Sequence, residues 1–153
     1  MIKFRILNYV LILLVTLCLL SLIGMAVGLY AMYQRSETEL FTLLMIGSAK
    51  LLLMAIGLSY TKQSIGMFLR HGYFNTKSAN FLTIAGYALA GSAVVTLIFN
   101  LTEISYVDRE SASGYIAEMI HDITVLLIGL ALMGVSDIVK KGINIKLEND
   151  LTI

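Results

Sequence analysis

Four apolar blocks, each about as long as a bilayer is thick and separated by short polar links, constrain this chain more than any other feature. A helix needs about 20 consecutive apolar residues to cross the roughly 30 Å hydrocarbon core of a membrane. The blocks cover residues 6–33, 40–60, 81–101 and 115–139. Composition agrees: 58% of the 153 residues are hydrophobic and only 14% are charged, where a soluble domain typically carries about 25% charged residues. The reading is an all-α integral membrane protein, one domain over residues 1–153, folded as a four-helix antiparallel bundle. Its expected surroundings are the lipid bilayer.

The first block could be mistaken for a cleavable signal peptide, but the apolar region of such a peptide is only about 7–15 residues long. Here the run is about twice that, and no small-x-small cleavage pattern follows it. It reads as a retained span. Gly24 and Gly28 make a GxxxG on it, a spacing that lets a second helix approach closely and leaves a homo-oligomer open. Cys18 lies inside the same block and, as the one cysteine, cannot form an intrachain disulfide.

Orientation follows from counting basic residues. The N-terminus, the connection 61–80 and the tail 140–153 hold Lys3, Arg5, Lys62, Arg70, Lys77, Lys140, Lys141 and Lys146, while the two opposite links hold only Arg35 and Arg109. That bias places both termini, the connection and the tail in the cytoplasm. Within the connection, Ile65, Phe68 and Leu69 beside Lys62 and Arg70 suggest a short interfacial helix. Gly72 would end it, and Asn75 or Thr76 would cap the next. The third block is rich in small residues (Ala85, Gly86, Ala88, Ala90, Gly91, Ala93) and is expected at the centre of the bundle.

Lys50 is the anomaly. It sits in the middle of the second block, and an unpaired charge at a bilayer centre costs about 2.5–3.5 kcal/mol on insertion scales. Glu118 and Asp122, four residues apart and so on one helix face, begin the fourth block with His121 beside them. Helical side chains lean toward the helix N-terminus, which tips Lys50 toward the outer surface. At 1.5 Å per residue, Lys50 lies about 15 Å below the outer end of its block and Asp122 about 10 Å below its own. A Lys50–Asp122 pair is therefore expected, with Glu118 and His121 as supporting residues. A structural ion pair, or a Lys50 bonded to hydroxyls such as that of Thr96, stands against a polar cavity for an ion, proton or small ligand. Charges inside spans are functional candidates by default.

Other chemistry has little support. Glu118-x-x-His121 is half of a bundle metal site, which needs two such motifs and further carboxylates; no metal and no cofactor are expected. The chain shows no Gly-rich phosphate loop, zincin motif or nucleophile elbow, so no enzymatic activity is expected. The net charge of +1 offers no general basic surface, so neither is direct nucleic-acid binding.

The glycine-bearing fourth block runs into Ser136-Asp137-Ile138-Val139-Lys140-Lys141-Gly142, and the chain ends Leu147-Glu148-Asn149-Asp150-Leu151-Thr152-Ile153. With Gly72, Phe74 and Asn80 ahead of the third block, these segments resemble the domain-of-unknown-function 2975 family, small bacterial membrane proteins with four spans. The chain departs from the family at Asn75-Thr76-Lys77-Ser78-Ala79, where a tighter Phe-Ser/Thr-x-x-Asn is usual. The resemblance implies no known activity, but it implies association with small helix-turn-helix transcription regulators. Gly72, Phe74, Asn80, Asp150, Leu151, Thr152 and Ile153 are then the candidate partner-binding residues. The tail could dock as an extended strand or through its carboxylate, or fold back on the cytoplasmic ends of the bundle.

Two functions follow as expectations: an anchor or sensor acting with a cytoplasmic regulator, and a small transporter or ion-conducting oligomer using a polar site at Lys50 and Asp122.

Overall fold

In a computed structural model, residues 2–35, 38–71, 75–103 and 109–151 are described, and all but Asn75 are helical. The four helices are α1 (Ile2–Arg35), α2 (Thr38–His71), α3 (Thr76–Glu103) and α4 (Arg109–Leu151). Each is long and apolar enough to cross a membrane. The chain contains no proline to break them. Of the candidate partner residues, Gly72, Phe74, Thr152 and Ile153 lie outside the described residues.

Two expectations change. The connection after the second block is not a separate interfacial helix: α2 runs without a break to His71. As far as Leu151, the tail is neither an extended strand nor folded back, because α4 continues through it. Lys, Leu and Glu in this tail favour helix, and Gly142 costs only about 1 kcal/mol in a helix interior. An established helix propagates at low cost into such a sequence once its first turn exists. At 1.5 Å per residue the 43-residue α4 is about 64 Å long, roughly twice the hydrocarbon core.

Asn75 is the N-cap of α3. Its Oδ1 accepts from the Lys77 backbone N–H at 2.9 Å, and its carbonyl accepts from Ala79 N–H at 3.1 Å, which satisfies donors that a helix start otherwise leaves unpaired.

Among the described residues, close backbone packing joins only sequence neighbours: α1 with α2, α2 with α3, and α3 with α4. The third helix is therefore the middle of the packed part, as its small residues suggested. Its buried positions recur with a seven-residue period: Ala79, Gly86, Ala93 and Asn100 on one line, Leu82, Leu89 and Thr96 on a second, Ser78, Ala85 and Ser92 on a third. This is the repeat by which one helix keeps a seam against its neighbours. Toward α2, Ser78 meets Ser64, and Leu89 crowds Gly57. Toward α4, Gly86 meets Gly129, and Thr83 meets Ser136. Here the backbones nearly touch: a methyl group built on Gly129 would lie 2.8 Å from the Gly86 carbonyl oxygen and 2.8 Å from the Ala90 nitrogen. A small core of Leu89, Ala93 and Val125, with Met54, Leu126 and Leu132 against it, fills the space beside this crossing.

Small and polar residues are prominent inside the molecule, and many large apolar residues lie outside. Its largest fully buried side chains are Asp122, Ser64, Ser78, Ser92 and Ser136, whereas Tyr9, Leu20, Ile23, Val27 and Ile138 are among many large apolar residues left exposed. Helices in lipid gain nothing by burying leucine against leucine; close packing and hydrogen bonds hold them instead. The Ser64–Ser78 clamp is one such joint. The two Oγ atoms lie 2.6 Å apart, and each hydroxyl also lies 3.0 Å from the other residue's carbonyl oxygen. We expect Ser64→Ala to lower stability in detergent by about 1 kcal/mol, since Ser78 keeps its bond to the residue-64 carbonyl. Ser64→Val should cost more, because a branched side chain would push the helices apart. Reversible unfolding of the two variants checks the order.

Near the other face of α3, Ser136 Oγ donates to the Ala79 carbonyl at 2.6 Å and lies 2.7 Å from Thr83 Oγ1, while Lys140 Nζ donates to Thr83 Oγ1 at 3.1 Å. A lysine one turn after a buried serine thus bonds inward to α3.

Candidate functional site

The polar centre is built from one residue on each of α2 and α3 and two on α4. Lys50 Nζ lies 2.6 Å from Asp122 Oδ1 and 3.6 Å from Glu118 Oε1. The other carboxylate oxygen of Asp122, Oδ2, accepts from Thr96 Oγ1 at 2.6 Å. Both oxygens of Asp122 are therefore engaged, and the side chain is wholly buried. The Lys50 side chain is 13% exposed and that of Glu118 53%. A buried charge is tolerated only when it is paired and its remaining lone pairs are satisfied. Among the described residues, Asp122 has its Oδ1 held by the Lys50 ammonium alone and its Oδ2 by the Thr96 hydroxyl; Glu118, half in the open, adds a weaker and more screened attraction.

Helix lengths explain why the pair meets. α4 begins at Arg109 because the polar segment before the fourth block is drawn into the helix. At 1.5 Å per residue, Lys50 is about 18 Å from the start of α2 and Asp122 about 20 Å from the start of α4, which matches their depths more closely than the apolar blocks suggested. Thr96 was a candidate bond partner for Lys50; it serves Asp122 instead. On α3 it sits between the two, so the pair spans a middle helix rather than a direct α2–α4 contact.

A cleft of about 330 Å³ opens beside the pair, lined by Lys50, Glu118, Thr96, Tyr115, Asn100 and apolar residues of α1 and α2 such as Met25 and Leu44. Next to it a hollow of about 460 Å³ shares Leu43, Phe99 and Tyr115 and reaches Glu103 near the end of α3. Asn100 is the residue that the sequence reading missed. It is 3% exposed, and its Nδ2 has no hydrogen-bond partner among the described residues. An unsatisfied buried amide costs about 1–3 kcal/mol. Its signal was present: Asn100 stands four residues after Thr96, hence on the same helix face. Buried amides that lack a protein partner bind water or a ligand.

The remaining candidates do not join this centre. His121 and Asn80 are exposed, Leu151 is 86% exposed, and Asp150 lies in the last turn of α4. Among the described residues, no three His, Cys, Asp or Glu side chains gather as metal ligands. On α1, Gly28 lies against Leu44 of α2, whereas Gly24 has open space around it. Cys18 is a partly exposed free thiol.

Compared with protein-family models, with curated proteins and with solved structures, the chain matches none.

Proposed function

We propose that this chain is a non-enzymatic inner-membrane sensor, with four antiparallel spans and both termini in the cytoplasm, that signals to a cytoplasmic regulator. The many large apolar side chains left exposed along four helices of membrane-spanning length support insertion. The reversed order of interhelical contacts supports the antiparallel arrangement: Ser64 with Ser78 but Gly57 with Leu89, Thr83 with Ser136 but Thr96 with Asp122. The basic bias of residues 3, 5, 62, 70, 77, 140, 141 and 146 supports the orientation.

One observation carries the sensing role. A single unbroken helix, α4, holds Asp122 in the polar centre and continues to Leu151 in the tail. A ligand that enters the cleft, bonds Asn100 and disturbs the Lys50–Asp122 contact would shift α4, and a rigid helix transmits such a shift to its far end. Among the described residues around the cleft, Asp122, Glu118 and Glu103 oppose one ammonium, so the charge balance favours a small ligand bearing a cationic group. The resemblance to the domain-of-unknown-function 2975 family adds a helix-turn-helix regulator as the cytoplasmic partner, to be met by residues 72–80 and the end of α4.

The cleft also suits a transporter or an ion-conducting oligomer. Against a route through one protomer stands the Gly86–Gly129 crossing, which leaves no room for one added carbon atom toward the basic end. Flux and capture separate the readings. The sensor reading expects reconstituted protein to give liposomes no ion or proton flux above empty vesicles. It also expects a neighbouring-gene helix-turn-helix regulator to bind the full chain and to lose that binding when residues 147–153 are deleted. Robust flux abolished by Lys50→Met would establish the transport reading instead.

A further inference from the structure

At the end of the molecule away from Lys50, a second cleft of about 420 Å³ lies between α1, α2 and α3. Lys62, Gly66 and Arg70 line it from α2, spaced four residues apart and so stacked on one face, with Asn8 of α1 and Phe81 of α3 opposite. Gly66 has nothing within 4 Å of where a methyl group would stand, so the space between the two cations is open. Neither Lys62 nor Arg70 has a carboxylate partner among the described residues. Their surroundings add further positive charge: Arg5 is one turn before Asn8, and Lys77 is one turn before Phe81. No acidic residue occurs in α1 or in residues 40–71 of α2.

We propose that this cleft is a binding site for the phosphate of an anionic lipid headgroup in the cytoplasmic leaflet. This rests on the membrane reading above. Lys62 and Arg70 grip the phosphate from two turns of one helix, and the vacant side of Gly66 gives it room between them. The Asn8 amide supplies a neutral hydrogen bond, and Phe81 and Met67 offer an apolar wall to the first carbons of an acyl chain. Arg suits a phosphate because its guanidinium donates two parallel hydrogen bonds. Basic pockets between spans on the cytoplasmic side take anionic headgroups by this chemistry. A bound headgroup would tie α1 and α2 together, where among the described residues α1 packs closely on α2 alone.

Native mass spectrometry of the full chain, released from nanodiscs containing phosphatidylglycerol and phosphatidylcholine, tests it. The wild type should retain one phosphatidylglycerol in preference to phosphatidylcholine. The Lys62→Gln/Arg70→Gln variant should weaken that retention roughly thirtyfold, from two basic side chains near an anionic surface. Gly66→Leu keeps both charges but fills the space, and it should lose the lipid as well. Lys146→Gln, basic but outside the cleft, should change nothing. Undiminished retention in Gly66→Leu overturns the site, because it leaves only diffuse attraction. Displacement of the lipid by millimolar inorganic phosphate also overturns it, in favour of a soluble phosphate source. A circular-dichroism melt of each variant shows whether it is folded, and the double Gln variant and Gly66→Leu are independent probes. If instead the wild type stays soluble without detergent and never enters nanodiscs, the membrane reading itself fails, a result distinct from any of these.

Discussion

Replacing Asp122 with alanine should destabilise the protein by about 3–5 kcal/mol, the cost of leaving one member of a buried ion pair without its partner. In the variant, Lys50 would keep only the half-exposed Glu118 at 3.6 Å, and Thr96 would lose the acceptor now 2.6 Å away. Lys50→Met should cost at least as much as Asp122→Ala, because it strands a wholly buried carboxylate that keeps only the Thr96 hydroxyl. The instructive variant is the double replacement, Lys50→Met with Asp122→Leu. A pair exchanged for apolar residues of similar volume often loses nothing, since the desolvation penalty disappears with the attraction. The double variant should therefore recover most of the stability lost in Asp122→Ala. Reversible unfolding in detergent by denaturant, followed by circular dichroism, measures all three. Additive losses would mean that the two side chains do not interact. A stable double variant that no longer binds the proposed regulator would separate a functional role of the pair from its structural one.

Gly129→Leu should be more damaging. Even a methyl group at this position would stand 2.8 Å from two backbone atoms of α3, and at Gly86 2.5 Å from Met133 Cγ and 2.7 Å from the Gly129 carbonyl oxygen. Backbone atoms cannot swing aside as a long side chain can, so the helices must separate. Overpacking of a core typically costs about 1–3 kcal/mol. A separation here would also strain the Ser136–Ala79 and Asp122–Thr96 bonds above and below the crossing. The expected loss exceeds that range, and the variant should fail to accumulate as a monodisperse protein. Gly134→Leu, on the same helix but with open space at its Cβ, should behave like the wild type. Size-exclusion chromatography of the two leucine variants side by side makes the comparison. Equal behaviour would show that α3 and α4 do not pack through Gly129.

Four helices long and apolar enough to cross a membrane, and the Lys50–Asp122 ion pair, were legible in the sequence for physical reasons. Four apolar runs leave few alternatives, and a lone lysine inside one of them demands a carboxylate at similar depth. Helix ends were less legible. Hydropathy marks where a helix is apolar, not where it stops, so the polar segments at 61–71, 109–114 and 140–151 read as links and tail although each continues a helix. Asn100 was overlooked because it stands at the edge of an apolar run, where an amide looks like a boundary residue. Its burial is a product of packing between α3 and its neighbours. The Thr83–Ser136–Lys140 joint likewise depends on which residues of α3 and α4 lie opposite each other. One helix read alone does not contain that register.

The proposed sensor has its polar centre facing one side of the membrane and the end of α4 on the other. Labelling with a membrane-impermeant maleimide tests this directly in spheroplasts carrying Cys18→Ser and either Glu118→Cys or Lys141→Cys. Glu118→Cys should react in intact spheroplasts, and Lys141→Cys only after the membrane is opened. Reaction of Lys141→Cys from outside, or protection of Glu118→Cys until the membrane is opened, would contradict the account.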